Sequence, residues 1–415
     1  MKLLGRIYAL HKTIANGNAT HLVALVVLFW AFFDSMLTYM APLVMAYNGF
    51  SNTQIGLLIG SSSIAGLIFD FLALMIFKRP DYRKFFMIML AICMVYPLSL
   101  GGATQVWGYL LAMILWGLYF DLYGFGMFSF VSQYVKRKDH AAAFGEILAG
   151  RSVGTSFAPL LVGFLLVGGI YLNVFLVAEI FIVIAVACFL FLLKDMKGQK
   201  PLVKAQRINA RNIFSEFKVL KSTGTKIWAP LLATFFLFFA DAFFWTLAPL
   251  YAMSLNFSVF GGLFLAAYSI PFLISGAIVG KVAKRFGNIK TAFGSMFVGA
   301  IAISFFMFIS NPMIILLLVL IAAFFFGISL ASINGAYADF NSSNPRTERE
   351  TTSAEDSAFN LAYILGPVAS GILSDIFSIP AAFTILGTIG ICLIIIVALR
   401  TKFRFNLIAV KSNSK

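Results

Sequence analysis

The feature that most constrains this chain is a series of apolar stretches, each long enough to cross a lipid bilayer. A hydrocarbon core of about 30 Å needs roughly 20 helical residues. Only 11% of the residues are charged, too few to cover the surface of a soluble domain. We predict twelve membrane-spanning helices, at residues 20–46, 52–77, 84–102, 107–135, 141–167, 170–193, 227–253, 259–283, 289–309, 312–337, 353–377 and 380–400.

The net charge of +15 is distributed over the short gaps between these stretches. One alternating set of gaps is rich in Lys and Arg, whereas the opposite set (47–51, 103–106, 168–169, 254–258, 310–311 and 378–379) contains neither. Basic loops stay on the cytoplasmic side of a membrane. We therefore predict cytoplasmic termini in a multi-pass protein of the plasma (inner) membrane. The charge indicates topology and contact with anionic lipid, with no nucleic-acid partner.

The longest polar gap, residues 194–226, is basic and divides the stretches six and six. It predicts two six-helix bundles at 1–193 and 227–415, joined by a cytoplasmic linker with an interfacial helix at 210–220. We expect a monomer. The three cysteines lie inside apolar stretches and the three histidines are scattered, so we expect no metal and no cofactor. Because no phosphate-binding loop of the ATPase type occurs, we do not expect an ATP-driven pump with its own nucleotide domain.

An internal repeat supports the two bundles. Asp34 and Pro42 each recur 207 positions later, as Asp241 and Pro249, within matching aromatic sequence. A second match, at an offset of 208, relates Pro159 to Pro367. Two matches in the same order indicate duplication. A duplicated membrane protein of this kind is typical of transporters, whose substrate site lies near the midplane between the halves.

The chain resembles the major facilitator superfamily over essentially its full length. The loop signature of that family is found best in the second half, at Gly280-Lys281 and Arg285-Phe286-Gly287, and only its basic cluster remains at 77–84. The resemblance implies an all-α fold of twelve transmembrane helices in two pseudo-twofold-related bundles. It also implies a cytoplasmic gate, to which we assign the following residues: Asp70, Lys78, Arg79, Gly280, Lys281, Arg285 and Gly287.

The fifth predicted helix resembles the signature of drug–proton antiporters. The residues that carry it, with their partners in the eleventh helix, are Gly154, Pro159, Gly163, Gly366, Pro367 and Gly371. Glycines permit close helix approach, and prolines free backbone carbonyls and kink helices. These positions are therefore candidate hinges of a moving helix pair, although static packing is equally compatible with the sequence.

Four ionisable residues lie deep in the apolar stretches, where a charge costs at least about 2.5 kcal/mol. Asp34 and Asp241 lie about 20 Å from the cytoplasmic ends of their helices. We predict that they are proton or cation sites, against the alternative of structural packing. Asp121 and Arg151 lie at similar depths on adjacent helices, so we predict that they form an ion pair or that Arg151 binds an anionic substrate group.

Tyr39, Trp245 and Asn334 are further candidate contacts to a small-molecule substrate. Acidic groups among aromatic side chains suit lipophilic cations. The sequence therefore favours a proton-coupled secondary transporter, an exporter of amphipathic or cationic compounds that works by alternating access. The alternatives are proton-coupled uptake of a sugar or other metabolite and, more remotely, a polytopic membrane enzyme or a receptor without transport activity.

Overall fold

The computed structural model of the protein describes residues 2–76, 81–166, 171–203, 224–255, 261–343 and 348–401. Within these ranges the chain is helical and has no strand. The helices are α1 (Lys2–Tyr47), α2 (Asn52–Ile76), α3 (Tyr82–Gly102), α4 (Val106–Tyr134), α5 (His140–Leu165), α6 (Tyr171–Asp195), α7 (Trp228–Ser254), α8 (Gly261–Phe286), α9 (Asn288–Ser304), α10 (Pro312–Ser343), α11 (Glu348–Ile376) and α12 (Ile379–Arg400).

Eleven of these helices are long and apolar enough to cross a membrane. Helix α8 is a twelfth candidate span when its segments Gly262–Gly276 and Ile278–Phe286, which are bent by 62° relative to each other, are counted together. The prediction of an all-α membrane protein with twelve spans is therefore confirmed.

Four helix ends differ from the sequence prediction by five residues or more, and one of them is the end of α10, at Ser343 instead of 337. Helix α1 begins at Lys2, well before residue 20, and its membrane-spanning part begins at Ala19. Helix α11 begins at Glu348 instead of 353, because acidic residues in a first turn are stabilised by the helix dipole. Helix α9 ends at Ser304 instead of 309, and a short 3₁₀ turn over Phe306–Phe308 follows it.

The chain forms two compact units. Unit 1 comprises Met1–Asn48 and Ser61–Ala210, and unit 2 comprises Gly49–Gly60 and Arg211–Lys415. Helix α2 is thus shared, since its first turns pack with unit 2 and the rest with unit 1. Most of the predicted linker, including its interfacial helix, lies outside the described residues. The described beginning of the linker is attached to unit 1, where the Arg83 guanidinium donates a 3.0 Å hydrogen bond to the Met196 carbonyl.

Corresponding helices of the two units pack in the same way. In unit 1, α1 packs against α5 and α3 against α4, and in unit 2, α7 packs against α11 and α9 against α10. Glycines bring the first pair of each unit together. A Cβ atom on Gly154 of α5 would lie 2.7 Å from the Ala31 Cβ, and one on Gly366 of α11 would lie 2.8 Å from the Ala242 Cβ.

Candidate functional site

Asp34 is the buried acidic residue of helix α1 in unit 1. Its side chain is 6% exposed. The Tyr119 hydroxyl, from α4, donates a 2.8 Å hydrogen bond to its carboxyl group, and the Trp116 indole lies close enough to interact with it. A carboxyl group in the interior needs such donors, because burial without them costs several kcal/mol.

Arg151, on α5, lies over two aromatic rings of α4. Its guanidinium carbon is 5.1 Å from the ring centre of Phe120 and 5.4 Å from that of Tyr123, both within range of a cation–π contact. Its charge also acts on the carboxyl group of Asp34. Helices α1, α4 and α5 thus bring one acid, one base and several aromatic rings together in unit 1.

The predicted ion pair between Asp121 and Arg151 is wrong for this structure. The two side chains are described, and no salt bridge joins them. Phe120 and Asp121 follow each other on α4, so their side chains point about 100° apart. The Arg151 guanidinium lies over Phe120 and Tyr123 instead of contacting Asp121.

Asp121 instead packs against α2. Its Oδ2 atom is buried without a hydrogen-bond partner, and a Cβ atom on Gly66 would lie 2.6 Å from it. The half-buried Asp70, one turn further along α2, is near enough to interact electrostatically with Asp121. The predicted gate residue Asp70 and the predicted site residue Asp121 therefore belong to one acidic pair.

Asp241 is the half-buried acidic residue of α7 in unit 2. The Tyr363 hydroxyl, from α11, donates a hydrogen bond to its carboxyl group. Three rings form a cluster beside it: the centre of Phe359 is 4.7 Å from those of both Phe238 and Tyr363, and Phe238 and Tyr363 are 6.2 Å apart. The Tyr268 hydroxyl, from α8, is buried and also interacts electrostatically with Asp241.

The repeat preserves the two carboxyl groups but not their surroundings. Tyr119, the donor to Asp34, lies on the fourth helix of unit 1, whereas Tyr363, the donor to Asp241, lies on the fifth membrane helix of the second half. Arg151 is replaced at the offset of 208 by Phe359. The acidic site of unit 1 therefore contains a basic residue, and that of unit 2 contains an aromatic ring at the equivalent position.

The predicted substrate contacts do not come together as one group. Tyr39 is 2% exposed, so a solute cannot reach it in this conformation. Trp245 is half-buried on α7, one helical turn after Asp241, and Asn334 is exposed on α10. Of these three, Trp245 is the residue placed beside a predicted acidic site.

The predicted cytoplasmic gate is described only in part. Lys78 and Arg79 lie outside the described residues. In the second half, Gly280, Lys281 and Arg285 are exposed near the end of α8. Gly287 joins α8 to α9 with a φ of 83°, a left-handed conformation that glycine adopts without strain.

The predicted hinge residues lie in tight helix contacts. Pro159 and Gly163 are buried within α5. On α11, the Pro367 carbonyl oxygen lies where a Cβ atom of Gly56 would be, and the place of a Cβ on Gly371 is occupied by the Asn52 backbone. The second half of α11 thus packs closely against the first turns of α2, within unit 2.

Several polar residues that form these contacts were not predicted from the sequence. Tyr119 and Tyr363 are two of 14 tyrosines in an aromatic-rich chain, and nothing in the sequence distinguishes them. Asp375, at the end of α11, accepts hydrogen bonds from the backbone N–H groups of Asn52 (3.1 Å) and Thr53 (2.8 Å) at the start of α2. A readable signal was present in α11, where polar residues recur at helical spacing from Ser353 to Tyr363.

Within the described ranges, no three His, Cys, Asp or Glu side chains come together as a metal site would require. The chemistry of the two sites is therefore that of carboxyl groups, phenol hydroxyls, aromatic rings and one guanidinium.

Comparison with known proteins identifies the fold. Residues 23–354 match the family model described as the Major Facilitator Superfamily. No curated protein matches the chain by sequence.

Solved structures of transporters are similar at low identity. A bacterial homologue of the human lysosomal transporter Spinster, in an inward-facing and unoccupied conformation, is 15% identical with a TM-score of 0.70 over 95% of this chain and 97% of the homologue. A variant of the nucleoside transporter NupG is 14% identical, with a TM-score of 0.69 over 93% and 99%. The peptide transporter POT in complex with sulfate is 14% identical, with a TM-score of 0.69 over 94% and 95%.

The twelve spans, the repeated helix packing and the family match agree with one another, and they indicate a transporter and not an enzyme. The chain belongs to the Major Facilitator Superfamily of membrane transporters.

Proposed function

We propose that the chain is a proton-coupled secondary active transporter that moves a small molecule by alternating access, exporting amphipathic or cationic compounds across the plasma (inner) membrane. The observation that supports the coupling proposal is the buried Asp34. Its carboxyl group accepts a hydrogen bond from the neutral hydroxyl of Tyr119 and interacts electrostatically with Arg151. A carboxyl group in such a place is a functional candidate by default, because membrane burial of a charge is costly.

In this proposal Asp34 exchanges a proton during each transport cycle. When Asp34 is ionised, its charge is balanced by Arg151 and its oxygen accepts the hydrogen bond from Tyr119. When Asp34 is protonated, it no longer neutralises the positive charge of Arg151. The packing of α1 against α4 and α5 then changes. A group at the junction of three helices can thus link protonation to helix movement.

The acidic pair Asp70 and Asp121 is a second proton or ion site in the proposal, and the exposed basic end of α8 is part of the cytoplasmic gate. Arg151 retains a second proposed role as a contact for an anionic substrate group. Cytoplasmic termini and a monomeric state are further parts of the proposal, supported by the basic loops and the family fold.

The test is gradient-driven flux in proteoliposomes, with the lipophilic cation tetraphenylphosphonium as the probe. We expect Asp34→Asn to abolish accumulation driven by a pH gradient and to leave counterflow exchange of the cation measurable, since exchange needs no net proton movement. Glu179→Gln, which removes a membrane carboxyl group from the outer helix α6, is the matched control. Unchanged gradient-driven flux in Asp34→Asn would disprove the coupling proposal.

Uptake of a sugar or other metabolite is the second candidate function. The observation in its favour is the polar part of α11, where the exposed Ser353 and the half-buried Asn360 offer hydrogen bonds to an uncharged hydroxylated solute. Flux of labelled sugars and nucleosides in the same vesicles distinguishes the two candidates, because an exporter of cations accumulates neither.

A further inference from the structure

Helix α11 has two distinct faces in its first half. Ser353, Asp356, Asn360 and Tyr363 are separated by three, four and three residues, so they form one face of the helix. Ser353 and Asp356 are exposed, and Asn360 and Tyr363 are half-buried. Leu361 and Leu365 are exposed on a second, apolar face of the helix, which suits contact with lipid.

The polar face extends along α11 as far as Tyr363, which lies beside Asp241 in unit 2. Its last residue, Tyr363, donates the hydrogen bond to the Asp241 carboxyl group and packs against Phe359. Beyond Tyr363, the same face is closed, because Ser370 and Ser374 are fully or nearly buried where α11 meets the first turns of α2. The polar face is therefore accessible from the start of α11 and ends at the aromatic cluster.

The charge balance differs between the two units. In unit 1, Asp34 is 6% exposed and interacts with Arg151. In unit 2, the sequence has no Lys or Arg in α7 or between residues 350 and 376 of α11. The half-buried Asp241 thus lies on a helix without Lys or Arg, whereas Asp356 follows Arg349, which lies in the first turn of α11 on the same face of the helix.

We propose that Asp241, Tyr363, Phe238 and Phe359 bind the cationic group of the transported substrate, which enters along the polar face of α11 past Asp356. The proposal rests on the proposed function for its assumption that a cationic compound is carried, and it assigns the recognition step to unit 2. Proton exchange is then separate, at Asp34 in unit 1.

The composition of the cluster favours an organic cation over a metal ion. Inorganic cations such as Ca²⁺ take six to eight oxygen ligands. Here one carboxyl group and one hydroxyl are accompanied by three aromatic rings. A carboxylate pairs with a diffuse positive charge, and ring faces attract it through cation–π contacts, which strengthen when water is excluded.

The test is equilibrium binding of tetraphenylphosphonium to the purified full-length protein in lipid nanodiscs, with uncharged triphenylphosphine oxide as the comparison ligand. We expect Asp241→Asn to weaken cation binding at least about tenfold, because the charge pair is lost. Phe359→Leu should weaken it about threefold, because one ring is lost. Neither change should affect binding of the uncharged ligand, which the carboxylate does not attract.

Two controls exclude general effects. Glu179→Gln removes a membrane carboxyl group from unit 1, and Leu361→Ala alters the apolar face of α11. Both should bind the cation as the unaltered protein does. Thermal unfolding of each variant checks that it is folded, and Phe359→Leu keeps the test usable if Asp241→Asn is unstable.

Equal cation affinity in folded Asp241→Asn, or in folded Phe359→Leu, would overturn the proposal. The proposed function and the cation-binding assignment can be disproved independently of each other. If the cation binds at Asp241 but no pH gradient drives its flux, the binding assignment stands and proton coupling is wrong. If Asp34→Asn alone loses gradient-driven flux while Asp241→Asn binds normally, coupling stands and the cation-binding assignment is wrong.

Discussion

The Tyr119 hydroxyl donates a 2.8 Å hydrogen bond to the carboxyl group of Asp34. Tyr119 is fully buried on α4 and Asp34 is nearly so on α1, and the bond joins two helices of unit 1. A phenol hydroxyl can donate to an ionised carboxyl group and can also interact with a protonated one. The pair therefore tolerates both charge states that the proposed proton exchange requires.

Replacing Tyr119 with Phe tests this bond. The ring and its packing against Phe33 remain, but the donor is lost, so we expect the free energy of unfolding to fall by about 1.5 kcal/mol. Gradient-driven flux should fall more than counterflow exchange, because only the former requires proton exchange at Asp34. Tyr47→Phe, at a tyrosine that is 75% exposed, should change neither quantity. A Tyr119→Phe protein as stable as the parent would show that the bond is not formed in the membrane.

Arg151 and Asp34 should be energetically coupled. The two side chains interact electrostatically without forming a salt bridge, and residues that interact in this way show coupling energies of about 0.5–3 kcal/mol. We therefore expect Arg151→Gln and Asp34→Asn each to lower unfolding stability, and the double variant to be more stable than the sum of the single effects predicts. Denaturant unfolding of all four proteins measures this coupling. If the loss of unfolding free energy in the double variant equals the sum of the two single losses, the coupling of Arg151 with Asp34 is disproved.

The family architecture was readable from the sequence for physical reasons. Apolar stretches of bilayer length have few alternatives to membrane-spanning helices, and the matches around Asp34 and Asp241 indicate the duplication from the sequence alone. Both residues were also identifiable as candidates, because a carboxyl group inside an apolar stretch is conspicuous. The helix ends were less well predicted, as at α11, which was expected to begin at 353 and begins five residues earlier, at Glu348.

Rotation about the helix axis could not be read in the same way. Depth along adjacent helices suggested that Asp121 and Arg151 would meet, but depth is independent of the direction in which a side chain points. Tyr119 and Tyr363 were missed because a tyrosine that bonds a carboxyl group has the same local sequence context as one that packs in lipid. Asp375 was missed because an acidic residue at a helix end is ordinarily solvated.

Gly154 should be intolerant of any side chain. A Cβ atom there would lie 2.7 Å from the Ala31 Cβ and 2.9 Å from the Leu28 carbonyl oxygen, so α1 and α5 would have to separate. We expect Gly154→Ala to destabilise the protein by about 2 kcal/mol. Gly145 lies on the same helix with open space around it, and Gly145→Ala should be neutral or stabilise by up to about 1 kcal/mol through helix propensity. Chemical unfolding of the two variants compares them, and equal stabilities would contradict the packing.

Asp375 should hold the first turns of α2 against the end of α11. Its carboxylate accepts hydrogen bonds from the Asn52 and Thr53 N–H groups, which a helix start leaves without intrahelical partners. Loss of a cap costs about 0.5–2 kcal/mol, so Asp375→Ala should make opening of this contact roughly twofold to thirtyfold more frequent.

Cysteine accessibility measures that opening. In a cysteine-free background, Ser374→Cys places a thiol at a position that is 7% exposed beside the contact, and maleimide should modify it faster when Asp375 is replaced by Ala. Asp375→Asn retains one oxygen acceptor and should give an intermediate rate. Ile372→Ala, on the exposed side of the same helix, should leave the rate unchanged. An unaltered rate in Asp375→Ala would mean that the close packing of Gly371 on the Asn52 backbone keeps the contact closed without the carboxylate.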